Sequence, residues 1–223
     1  MLNVLYEDRD IIVCVKPVGV LSQGDADKSD TMNYLLAQYF ESKGENPQSF
    51  CVHRLDRAVG GTMVYARTQK AAAKLSALVS SNEIQKEYLA IICGTPENKS
   101  GIYKDLLFKD SSKNKSYVVK RMRKGVKEAS LEYELIETVE KEEKSLSLVK
   151  IRLHTGRTHQ IRVQFSSRKT PLLGDGKYGS TDNKCTVSLW SHRLSFKHPF
   201  LGGAMDFKSY PDNTKYAWSL FFR

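Results

Sequence analysis

The chain opens on a continuous run of β-branched and apolar residues from Ile11 to Val15, closed by the turn residues Lys16-Pro17-Val18-Gly19. A run of this kind predicts a buried strand. Met32, Leu35, Leu36, Tyr39 and Phe40 then recur with the spacing of one helix face behind Asp30, which predicts an amphipathic helix with that aspartate as its cap. A second helix is predicted from Thr68, with Ala71, Ala72, Leu75, Leu78 and Val79 on one face, between strands at 61–66 and 86–93. Farther along the period falls to two. Leu131, Tyr133 and Leu135 alternate with Glu132 and Glu134, and Val149, Ile151 and Leu153 alternate with Lys150 and Arg152, so each segment reads as a strand with one wet face. A helical turn over 158–165 and strands near 187–194 and 204–208 complete the pattern. Strands outnumber helices and hairpins outnumber crossovers. The expected class is α+β, with a mixed, largely antiparallel central sheet and flanking helices.

Length and composition bound this picture without changing it. A chain of 223 residues, 40% hydrophobic and 27% charged, has the size of one globular domain and buries enough surface to fold without disulfides or metals. No internal repeat or low-complexity linker divides it, so residues 1–223 are expected to form a single domain. No apolar run approaches the roughly 20 residues of a membrane span, and the first eight residues carry acids where a secretory signal is basic and apolar. The expectation is a soluble, cytoplasmic monomer with no membrane partner. Cys14, Cys51, Cys93 and Cys185 stand at least 37 residues apart, which supplies neither a paired zinc half-site nor a disulfide framework. They are expected to be buried thiols in apolar strands, and no metal site is predicted.

Charge does change the picture. Thirty-five basic against 25 acidic residues leave a formal net charge of +10, which makes a polyanion partner plausible. Residues 101–130 hold nine Lys or Arg, Lys120, Arg121, Arg123 and Lys124 among them, against three acids. The stretch 150–169 holds six, including Arg157 and Arg162, with no acid at all, while 132–143 carries six Glu and one Lys. The signs are separated along the chain. For 101–130 a solvated hairpin edge guarded by charge stands beside a nucleic-acid footprint. For 150–169 the basic residues are interleaved with His154, Thr155, Thr158, His159 and Gln160, a density of hydrogen-bond donors that favours the footprint.

Chemistry is carried by Cys51-Val52-His53-Arg54-Leu55-Asp56-Arg57-Ala58-Val59-Gly60-Gly61, which places one acid between two arginines in an otherwise small or apolar segment. Neighbouring positive charge favours an ionised carboxylate, suited to nucleophilic or electrostatic work rather than to acid catalysis. The residues by themselves favour a structural ion pair at a turn, since Arg-Asp neighbours are common. A glycosidase would need a second carboxyl about 5 to 10 Å away, and the segment offers none.

The chain resembles the RluA-type pseudouridine synthases, RNA-modifying enzymes, in several motifs in order. Leu5-Tyr6-Glu7-Asp8 through Lys16-Pro17-Val18-Gly19-Val20 resembles the family's opening strand pair, and His53-Arg54-Leu55-Asp56-Arg57 its catalytic signature. Lys86-Glu87-Tyr88-Leu89-Ala90 resembles the strand of its active-site tyrosine, and Gly156-Arg157-Thr158-His159-Gln160-Ile161-Arg162-Val163 its basic motif. Pro171-Leu172-Leu173-Gly174-Asp175, Tyr178-Gly179 and His192-Arg193-Leu194 follow in register. Two departures stand out: Val59-Gly60-Gly61 where the family has Thr-Ser-Gly, and His192-Arg193 where it favours His-Ala.

The resemblance implies the pseudouridine synthase catalytic fold without a separate N-terminal RNA-binding module. It implies isomerisation of specific uridines in structured ribosomal or transfer RNA, with the uridine flipped out of its helix. No redox change occurs, so neither a nucleotide nor any other cofactor is expected. Asp56 would be the catalytic acid residue, acting as nucleophile at the sugar or assisting removal of a proton from it. Arg162 would pair with Asp56, and Tyr88 would lie against the base. His53, His159 and His192 read as hydrogen-bonding or packing residues. RNA contacts would come from Arg54, Arg57, Arg157 and His159 with Lys120, Arg121, Arg123 and Lys124. The alternative is a non-catalytic homologue that binds RNA through the same basic face.

Overall fold

A computed structural model describes residues 2–24, 28–141 and 144–222. It divides into two compact units, one of Met1–Lys86 with Trp190–Pro211 and the other of Glu87–Leu189 with Asp212–Arg223. Each is discontinuous in sequence.

In the first unit β1 (Asn3–Glu7) pairs antiparallel with β2 (Ile11–Lys16), which pairs antiparallel with β4 (Gly60–Ala66); the short β3 (Phe50–Cys51) also lies on β4. On the other side β4 meets β10 (Leu189–Lys197) in parallel, through Gly60 opposite Trp190 and Gly61 opposite Ser191, and β11 (Ala204–Lys208) closes a hairpin on β10. The parallel contact accounts for glycine at position 60, where the family pattern has serine, and for the glycine at 61 that the two share. A side chain on Gly60 would meet the Trp190 ring at 2.4 Å, and one on Gly61, at φ +120°, would meet the Ser191 carbonyl at 2.3 Å. Two glycines let that backbone approach.

Helices α1 (Met32–Glu41) and α2 (Gln69–Ser80) belong to this unit. Ala71 and Leu75 of α2 enter a core with Ile11, Val13, Val64, Leu194 and Phe196. The predicted cap of α1 shifts by one residue. Thr31, extended at φ −120°, accepts from Tyr34 N at 3.2 Å, while the Asp30 carboxylate turns instead to Arg57 at 3.3 Å. Thr68 caps α2 in the same way.

In the second unit the strand order is β5-β9-β8-β6-β7. These are β5 (Gln85–Cys93), β6 (Ser100–Asp110), β7 (Lys115–Val119), β8 (Val126–Lys141) and β9 (Lys144–Leu153). Residues 101–130 therefore do form hairpin strands, and the β6–β7, β6–β8 and β8–β9 pairs are antiparallel. Leu131 and Tyr133 point inward and Glu132 and Glu134 outward, as their alternation requires. Helix α3 (Gln160–Ser166) starts two residues later than the pattern predicts, because His159 takes a left-handed conformation, φ 54°. The sheet is mixed and mostly antiparallel. Glu142 and Glu143, two of the six glutamates in the acidic stretch, lie outside the described residues.

All four cysteines are free thiols. Cys14 in β2 is fully buried, and burial pushes it up to about 12, an inert thiol. Cys185 corrects the expectation of strand thiols, since it lies in the loop before β10. Among the described residues no helix is long and apolar enough to cross a membrane.

Candidate active site

Asp56 sits in the loop between β3 and β4, in a turn closed by Val59 N donating to the Asp56 carbonyl at 2.9 Å. Two further attachments fix this loop. The buried Ser22 hydroxyl donates to the Leu55 carbonyl at 2.8 Å and accepts from Leu55 N at 2.9 Å, a reciprocal clasp on the residue before Asp56. On the other flank Gly19 N donates to the Arg57 carbonyl at 2.8 Å, and Arg57 Nε returns a bond to the Gly19 carbonyl at 2.8 Å. The catalytic candidate is thus held on both sides by the 16–22 segment.

Lys16 ties the two segments from inside. Its side chain is fully buried, and Nζ donates to the carbonyls of Pro17 at 2.8 Å, Val20 at 2.6 Å and Arg57 at 3.3 Å. Burial pushes its pKa down to about 8; the nearby Asp56 carboxylate opposes that shift and the Arg57 charge adds to it. A buried ammonium costs several kcal/mol unless donors and charge are matched, and here three carbonyls and one carboxylate do so.

His53, at the head of the same segment, is buried and accepts from Val64 N through Nε2 at 3.2 Å. Burial, reinforced by the charge of Lys86, pushes it down to about 3, so it is neutral at physiological pH. His192 is a packing residue of the same kind, its Nδ1 donating to the Ser209 carbonyl at 2.9 Å and its ring lying 4.7 Å from that of Tyr210.

In the second unit Tyr88 is buried in β5, 6% exposed. Arg162 is buried on α3 and makes a two-point contact with Asp175, Nε to Oδ2 at 2.7 Å and Nη2 to Oδ1 at 2.8 Å. The loop that delivers Asp175 is pinned by Leu173 N donating to the Ile91 carbonyl, and by Gly174 at φ +78°. A Cβ there would strike the Thr186 carbonyl at 2.4 Å. His159 Nδ1 lies 2.9 Å from the Tyr178 hydroxyl, which also accepts from Ser116 N at 2.8 Å.

A family model described as RNA pseudouridylate synthase matches residues 10–167, a span that includes Asp56, Tyr88 and Arg162. The chain belongs to the RNA pseudouridylate synthase family. A relative from Aquifex aeolicus, named an uncharacterized RNA pseudouridine synthase, is 32% identical over 234 residues, covering 97% of this chain and 72% of the relative. The ribosomal large subunit pseudouridine synthase D of Pasteurella multocida is 36% identical over 179 residues, 80% of this chain but 53% of its own length. The chain thus spans from about half to about seven-tenths of these relatives. The solved human RNA pseudouridylate synthase domain containing 1 shares the fold, with a TM-score of 0.77 and 22% identity over 96% of this chain and 84% of that one.

Within this family member the basic residues divide into two groups. Three of the six in the acid-free stretch find acids across the sheet or in neighbouring loops: Lys150 pairs with Glu134 at 2.6 Å, Arg168 with Asp105 at 2.9 Å and Arg162 with Asp175. Arg157 differs, since it is exposed and spends only Nε on a backbone carbonyl, that of Glu128. The 120–125 turn also differs. Lys120, Arg121 and Lys124 are exposed with no ion-pair partner among the described residues, and Arg123 lies over the Phe108 ring at 5.0 Å. A cavity of about 560 Å³ bordered by Lys104, Lys120, Glu128 and Thr155 adjoins this turn. Arg54 is exposed and unpaired among the described residues, whereas Arg57 is engaged with Gly19 and Asp30. Arg193, the second departure from the family pattern, pairs with Asp206 across the β10–β11 hairpin at 2.7 Å.

Sequence reasoning missed Ser22, and it gave no role to Lys16 or Asp175 although both stand in the matched motifs. Asp175 carries a signal in hindsight, a lone acid after Gly174 in a chain whose basic motif lacks acids. Ser22 carries none.

Proposed function

We propose that this chain is an RNA pseudouridine synthase, an isomerase that detaches a uridine base in structured ribosomal or transfer RNA and rejoins it to ribose through carbon. One observation carries the reading: in a member of this family the aspartate of the signature sits in a loop clamped on both sides, at Leu55 by Ser22 and at Arg57 by Gly19 and Lys16. Such attachment suits a group that must meet one atom of its substrate in one geometry.

Asp56 is the reacting carboxylate, either adding to the sugar as the glycosidic bond breaks or taking a proton from it. Arg162 serves Asp56 as its cation. Its fork is fixed by Asp175, so its direction is set before RNA arrives. Tyr88 lies against the flipped base and assists the proton transfer that restores the ring. Atoms and electrons balance within the uridine, so no cofactor is consumed. Extrusion of the base costs a few kcal/mol of unstacking. Phosphate contacts from Arg54, Arg157 and the 120–124 turn offset it, with Arg57 and His159 shaping the loops that present them. The two units act together as one catalytic domain, in the cytoplasm and as a monomer.

Mapping pseudouridines in RNA from a strain lacking this protein and from its parent tests the proposal. Loss of one or a few sites supports it and names the substrate. An unchanged map with RNA binding retained in vitro would favour the non-catalytic binding protein.

A further inference from the structure

Near the start of β10 Trp190 lies opposite Gly60, the first residue of β4. The two strands run parallel, so both residues stand at the same end of the first unit's sheet, the end entered directly from the Asp56 turn. The indole takes the place that a side chain at position 60 would occupy: a Cβ there would meet Cζ3 at 2.4 Å and Cε3 at 3.0 Å. The same Cβ would lie 3.1 Å from the carbonyl of Lys16, whose ammonium holds the Arg57 carbonyl. Trp190 is therefore seated on the backbone that carries and clasps Asp56, and it remains partly exposed.

Its orientation is fixed through Ser209. The indole Nε1 donates to both the carbonyl and the hydroxyl of Ser209, each at 3.1 Å, and that hydroxyl also meets Thr62 Oγ1 at 2.8 Å. Ser209 N donates to the His192 carbonyl at 2.9 Å, and His192 Nδ1 returns a bond to the Ser209 carbonyl. Trp190 and His192, two residues apart on a strand, face the same side. Tyr210 follows the anchored serine, its ring 4.7 Å from that of His192 and the residue 61% exposed. A row of rings thus lines one face at the Asp56 end of the sheet, with Tyr210 outermost and open to solvent.

A lone surface tyrosine would need no explanation. This one is backed by a second ring, tied down through its neighbour, and set beside an indole that touches the loop assigned to chemistry. Neutral aromatic faces in that place suit a nucleobase, because every base offers a π face and unpaired bases stack on aromatic side chains. We propose that Tyr210 and Trp190 form a stacking platform for an unpaired RNA base flanking the extruded uridine. Resting on the RNA pseudouridine synthase reading, the platform deepens it, since a single-stranded segment and not a closed helix is what this side of the site accepts. Extrusion of the uridine deprives its neighbours of a stacking partner, and the rings supply another.

The test uses the full chain as wild type, Tyr210→Ala, Tyr210→Phe and Tyr210→Leu. The probes are a single-stranded RNA oligonucleotide of mixed sequence and a blunt RNA duplex of equal length, with binding followed by filter retention against salt. Tyr210→Ala is expected to weaken binding of the single strand about 10-fold, the size of one lost base stack, and to leave duplex binding unchanged. The slope of log affinity on log salt should stay as in wild type, because a neutral ring releases no counterion. Tyr210→Phe should bind within about two-fold of wild type, and Tyr210→Leu should bind as weakly as Tyr210→Ala. A Trp218→Phe variant leaves Trp190 as the sole tryptophan, and its emission should be quenched by the single strand and not by the duplex. Undiminished affinity in Tyr210→Ala would overturn the proposal, as would absence of quenching. Leucine serving as well as phenylalanine would also overturn it, by making the site an apolar contact without stacking. If wild type releases no tritium from RNA labelled at carbon five of uridine, the isomerase reading fails, while the affinities and the quenching still decide the platform.

Discussion

Arg162 presents Nε and Nη2 to the two carboxylate oxygens of Asp175, and the side chains are 9% and 1% exposed. This carboxylate gives Arg162 a structural role beside the one proposed for it at Asp56. Removing one partner of a buried pair leaves the other stranded, at about 3 to 5 kcal/mol. Arg162→Met is therefore expected to lower kcat by at least about 100-fold and, in urea melts, to lower stability by about that amount. Arg162→Lys should recover part of each, because an ammonium cannot reproduce the fork. Arg157→Met should weaken RNA binding and nearly preserve turnover at saturating RNA. The reverse pattern, with Arg157 governing turnover and Arg162 only affinity, would refute the assignment.

Ser22 never needs to touch RNA to affect the reaction. Ser22→Ala removes both bonds to Leu55 and leaves its amide and carbonyl unmatched in a buried place, which should cost about 1 to 3 kcal/mol of stability. With the Asp56 loop loosened, kcat should fall about 10-fold while RNA affinity stays the same. Steady-state kinetics on the purified variant check this, and a rise in KM at constant kcat would show that Ser22 serves RNA binding instead.

The two groups of basic residues make opposite predictions. Changing Lys120, Arg121, Arg123 and Lys124 together to Gln should reduce the salt slope of RNA binding, by about one for each residue that reaches a phosphate. Lys150→Gln should leave the slope unchanged, since Lys150 is matched by Glu134 across the β8–β9 pair. Equal slopes for the wild type and the fourfold variant would return the 120–125 turn to a solvated hairpin tip.

This division was not legible along the chain. The acid-free stretch at 150–169 looks like a footprint because its partners are distant in sequence: Glu134 opposite Lys150, Asp105 beside Arg168, Asp175 beside Arg162. Antiparallel pairing sets a basic strand against an acidic one, so separated signs become neighbours. The helices were legible, since Leu36 and Phe40 in α1 and Ala71 and Leu75 in α2 follow a period that burial alone imposes. Asp56 stood out through its two arginines. The groups that hold its loop did not, because a serine bonding a backbone 33 residues away leaves no pattern.

Acid should destabilise the first unit through His53. Its folded pKa is held near 3, against an ordinary 6.5. Between these values the unfolded chain binds the proton and the folded chain does not, so stability present above about pH 6.5 is lost progressively as pH falls toward 3. Urea melts from pH 7.5 to 4.5 should show a steeper loss in wild type than in His53→Gln, whose side chain does not titrate. Parallel pH profiles would mean that His53 gains its proton while folded.

The central claim is that Asp56 performs an isomerisation needing nothing but RNA and this chain. Its most direct test is tritium release from carbon five of uridine in RNA from a strain lacking the protein, by wild type and Asp56→Asn, in chelator and without nucleotide. The account predicts release by wild type and none by Asp56→Asn, with the variant's RNA affinity within a few-fold of wild type. Release by Asp56→Asn, or wild-type activity abolished by the chelator, would contradict it.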